Sequence, residues 1–147
     1  MTTKQSFTAG EWEQILEGPP TAGLFVITAQ RGGMFRETIS MAKAYTEARQ
    51  QHGQSELLDE IVAAKPKVDH SRYHTPEELR ERALSHLRDA VALLQSKATP
   101  EELEQYKRFI VGLAERVAAA HREGDGSQGP VSDPERTAIA AIKQALG

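Results

Sequence analysis

The chain contains no cysteine and no asparagine, and aromatic residues make up only 5% of it. Without thiols, disulfides, thiolate catalysis and cysteine zinc sites are excluded. Long apolar runs are missing as well. The most apolar stretch, Ala22 to Ala29, is far shorter than the roughly 20 residues that cross a bilayer, so no membrane insertion is expected. The opening Met1-Thr2-Thr3-Lys4-Gln5-Ser6-Phe7 has no signal core, and the expected location is cytoplasmic. Positive charge is not in excess: the net charge is −3. That gives no electrostatic reason to expect a nucleic acid partner. At 147 residues the chain is long enough for one domain, 1–147, burying about 68% of its unfolded surface.

What is abundant is helical periodicity. From Thr99 to His121, Leu103, Tyr106, Phe109, Ile110, Leu113 and Val117 recur on one helical face. Thr99 is a capping residue, Pro100 suits the first turn, and Glu102 can close a capping box. Such a helix is roughly 33 Å long, about the diameter of a small domain, so the other elements are expected to pack around it.

The remaining stretches follow the same grammar. Thr8 and Glu11 predict a second capping box, with Phe7 and Trp12 placed as a hydrophobic staple. Gly18-Pro19-Pro20 predicts the end of that first helix. Leu24-Phe25-Val26-Ile27-Thr28 has strand composition but no strand of similar quality to pair with, so it reads as a buried helix. Further helices are expected over residues 34–51, 55–64, 75–94 and 132–146, the last burying Ala138, Ile139, Ile142, Ala145 and Leu146. The short link Ser96-Lys97-Ala98 predicts an antiparallel hairpin between the helices on either side. The sum is an all-α bundle of about six helices around one long central helix, with short connections and low contact order.

Two segments echo each other. Residues 26–33 and 117–124 each carry an apolar helical turn into a glycine break before the next helix. The second segment runs Val117-Ala118-Ala119-Ala120, then Asp125-Gly126, then Val131-Ser132-Asp133-Pro134-Glu135. It resembles the TerB-like helical family, named for tellurite-resistance proteins, whose pattern is an apolar helix ending in Ala-Asp-Gly and a following helix opening with Ser-x-x-Glu. The resemblance covers the last third of the chain. Here His121-Arg122-Glu123-Gly124 stands between Ala120 and Asp125, and the first segment has no aspartate. The resemblance implies an all-helical fold and a link to stress responses or membrane-associated complexes, with no particular reaction.

Four carboxylates, Glu123, Asp125, Asp133 and Glu135, are the candidate ligands for a hard divalent cation such as Ca²⁺. The same Asp133 and Glu135 are what a helix N-terminus selects for capping and for its dipole. His70 and His74, beside Asp69, have the spacing of two zinc ligands but precede the helix start at Thr75-Pro76 and lack an evident third ligand. His86 is expected on a helix surface, and His121 at a helix C-terminus where its cation suits the dipole. Arg31-Gly32-Gly33 lacks the lysine and the preceding strand of a phosphate loop. Lys65-Pro66-Lys67 and Arg72 form a small basic patch without interleaved aromatics.

No catalytic set converges. The expectation is therefore a non-enzymatic helical protein, without a cofactor, that binds a protein partner or forms a homo-oligomer. The helix from Ser55 to Ala64 is expected to offer an exposed apolar stripe for that partner. The alternative is a TerB-like metal-binding or stress-response protein that uses the loop from Glu123 to Glu135.

Overall fold

A short 3-10 turn, Lys4–Ser6, leads into six α-helices in the computed structural model: α1 Ala9–Ala29, α2 Met34–Gln50, α3 Glu56–Ala63, α4 Pro76–Lys97, α5 Pro100–Gly124 and α6 Asp133–Leu146. It describes residues 4–29, 34–50, 56–64, 75–124 and 133–147, and no strand occurs among them. The fold is an all-α bundle, as the periodicity predicts. Helix α5 is its centre and touches each of the other five helices. Of its predicted apolar stripe, Leu103, Tyr106, Ile110, Leu113 and Val117 are buried, and Phe109 is half-buried with its ring edge-on to Tyr45 of α2 at 5.2 Å.

The helix entrances are built as the sequence predicts. The Thr8 hydroxyl accepts from the Glu11 amide at 3.2 Å, and the Glu11 carboxylate accepts from the Thr8 amide at 2.9 Å. Thr99 and Glu102 make the same reciprocal pair at 3.1 and 2.9 Å. Thr75 caps α4 by accepting from the Glu78 amide at 3.0 Å. The staple also forms: Phe7 and Trp12 are both buried, with ring centroids 5.9 Å apart. Each box satisfies two amides that have no partner inside the helix. Thr99→Ala is therefore expected to cost about 1 kcal/mol, read from denaturant unfolding midpoints.

Three expectations are overturned. Gly18-Pro19-Pro20 does not end the first helix, and α1 runs through both prolines to Ala29. The stretch read as a separate buried helix is its second half, with Leu24, Phe25 and Val26 buried. The predicted hairpin between α4 and α5 is loose: α4 lies chiefly on α1 and α6, and touches α5 only lightly. A three-residue link sets two helices near each other at one end but does not make them share a face. Finally, the apolar stripe of α3 is covered. Leu57, Ile61 and Val62 are buried among their own chain, against α2 and α5, and Leu58 is half-buried. Arg49 of α2 adds a clamp there, donating from Nε to the Val62 carbonyl at 2.6 Å.

The packing is crossed. Helix α2 leans mainly on α5 and less on α1, its predecessor in the chain, while α6 spreads over α4, α1 and α5. Ala138, Ile139, Ile142, Ala145 and Leu146 form the buried face of α6, as the spacing predicts. Gly147, with φ +90°, turns the chain off this helix and donates back to the Lys143 carbonyl at 3.2 Å.

Candidate functional site

The polar centre of the molecule is the crossing of α1 with α5. Proline has no amide hydrogen, so Pro19 cannot donate to the Ile15 carbonyl one turn earlier. The carbonyl is buried in the bundle and would be left without its helical donor. Tyr106 supplies the replacement: its hydroxyl donates to the Ile15 oxygen at 2.7 Å. Burial, with a smaller contribution from Tyr45, holds the Tyr106 phenol well above its ordinary range, so it stays a donor. Gly18 makes room for it, since a Cβ there would overlap the Tyr106 hydroxyl oxygen and lie 3.4 Å from the ring carbon Cζ.

The preceding carbonyl, Gln14, receives a second bond from outside the helix. His86 Nε2 lies 2.7 Å from it. A carbonyl can only accept, so that nitrogen carries the proton. His86 is thus not a free surface residue but a half-buried brace from α4 to α1. The sequence shows the Gly-Pro-Pro signal and the tyrosine, yet offers nothing local to connect them.

The crossing also extends the sequence echo. At a constant step of 91 residues, the separation of Ile15 and Tyr106, Thr8 and Glu11 correspond to Thr99 and Glu102. Trp12, Ile15, Ala22 and Val26 then correspond to Leu103, Tyr106, Leu113 and Val117, and all eight are buried. The Tyr106–Ile15 bond itself joins two positions that correspond at this step.

Among the described residues, ion pairs also tie the outer helices to this centre, one of them between Lys143 of α6 and Glu115 of α5 at 3.7 Å. The Glu47 carboxylate of α2 takes a two-pronged bond from Arg116 of α5, with Nη2 to Oε1 at 2.7 Å. Glu11, at the entrance of α1, takes Lys97 Nζ from the end of α4 at 2.8 Å. Lys97 also reaches the Ser6 carbonyl at 3.3 Å and lies 5.6 Å above the Phe7 ring. The bond from Lys97 and the cap amide of Thr8 hold the Glu11 carboxyl below its ordinary 4.5, and the bond from Arg116 does the same for Glu47. A carboxyl with a depressed folded value adds stability that is complete above about pH 4.5 and is lost as pH falls through the folded value. Melting temperatures below pH 4.5 are therefore expected to fall less steeply in Glu11→Gln/Glu47→Gln than in the wild type.

Of the carboxylates singled out as cation ligands, Glu123 belongs to the last turn of α5, and Asp133 and Glu135 to the first turn of α6. The side chains of these three, and Asp125 altogether, lie outside the described residues, as do His70, His74 and the segment Arg31-Gly32-Gly33. The His121 side chain and the basic patch at Lys65, Lys67 and Arg72 lie outside them too. Glu135 is the third residue of its helix, the position Glu11, Glu78 and Glu102 hold in α1, α4 and α5. Among the described residues, no three histidine, aspartate or glutamate side chains gather as a metal centre would require. No described helix is long and apolar enough to cross a membrane. Comparison of the chain with protein-family models, with curated proteins and with solved structures gives no significant match.

Proposed function

We propose that this chain is a helical interaction protein, without catalysis of its own, that works by associating with a protein partner or with a second copy of itself. The observation that carries the reading is where its interior polar chemistry goes. The bonds from Tyr106 to Ile15 and from His86 to Gln14 both run from one helix to another. Those groups serve to brace a surface and not to meet a substrate. At the margin of the core Leu93 of α4 and Phe109 and Val111 of α5 stay half-buried, which leaves apolar area for contact. Light scattering across micromolar concentrations tests the reading. The expected result is a mass above that of one chain; a strict monomer that retains no partner from its native host overturns it.

A second reading rests on the α5–α6 junction, where Glu123, Asp133 and Glu135 fall in the end turns on either side of one link. There the module would take a hard divalent cation through Glu123, Asp125, Asp133 and Glu135. A hundredfold excess of Ca²⁺ over Kd would then stabilise the fold by about 2.7 kcal/mol. That corresponds to a rise in melting temperature of roughly 5–11 °C, abolished by Asp125→Ala. If Glu135 only caps α6, Ca²⁺ leaves melting unchanged and Glu135→Gln costs little.

A further inference from the structure

We draw no further inference here: the strongest candidate, the buried Tyr45 hydroxyl between α2 and α5, has no hydrogen-bond partner among the described residues, but it is a lone polar atom and nothing in the structure shows what would meet it.

Discussion

Gly18→Ala should lower the melting temperature of the wild-type protein and have little effect once Tyr106 is phenylalanine. In the wild type the new methyl meets the Tyr106 hydroxyl, which is itself held on the Ile15 carbonyl. Overpacking of this kind costs about 1–3 kcal/mol. Tyr106→Phe alone removes the substitute donor and leaves a buried carbonyl unsatisfied, again a loss of about 1–3 kcal/mol. With the hydroxyl gone, the nearest ring carbon is 3.4 Å from the methyl. The clash then disappears. The better helix propensity of alanine is offset by the strain of a Cβ before Pro19, so the second substitution comes close to neutral. The double-mutant cycle should therefore show a coupling of about 1–3 kcal/mol, read from thermal or denaturant unfolding of the four proteins. Simple additivity would mean that the hydroxyl and Gly18 do not share this space.

Truncation of the central helix should be the most damaging change in the core, and its effect should spread. Ile110 and Leu113 are essentially inaccessible and lie on α5, which touches each of the other five helices. Leu113→Ala is expected to cost about 3–5 kcal/mol, because a helix packed along its length by its neighbours has little freedom to close the cavity. Leu57 of α3 is as deeply buried, but among the described residues α3 rests chiefly on α2 and α5. Leu57→Ala is expected at the low end, about 2–3 kcal/mol, since a short peripheral helix can shift into the space. Native-state hydrogen exchange separates the two cases. Leu113→Ala should reduce protection in every helix, whereas Leu57→Ala should open α3 first. A loss confined to α5 in the first variant would show that α5 is not the shared support.

What could be read in the sequence was whatever is encoded within a turn or two. The boxes at Thr8 and Thr99, the Phe7–Trp12 staple and the buried face of α6 all depend on residues three or four apart, and each formed as predicted. The double proline misled for the opposite reason. Locally Gly18-Pro19-Pro20 is a strong stop, and only a hydroxyl 91 residues away makes continuation tolerable. The α4–α5 hairpin and the open stripe on α3 failed similarly, since link length and amphipathicity do not say which helix covers which face. At the candidate site, Asp133 and Glu135 could be placed at a helix start from spacing alone, whereas Glu123, read as part of the loop after His121, lies in the last turn of α5. Spacing does not separate a capping role from a ligand role, because both select carboxylates at a helix N-terminus.

The Tyr106 bond also sets an order of events during synthesis. Helix α1 leaves the ribosome before α4 and α5, and the donor for its middle carbonyl follows 91 residues later and the His86 brace 72 residues after Gln14. At roughly 5–20 residues per second, α1 waits about 5–20 seconds for the groups that complete it. During that interval the two amide donors missing at Pro19 and Pro20 leave the middle of α1 short of helical bonds. A nascent chain stalled before α5 emerges should therefore expose the apolar second half of α1, with Leu24, Phe25 and Val26, as a target for chaperones. Helix α1 is complete only when the C-terminal half of the chain arrives to finish it.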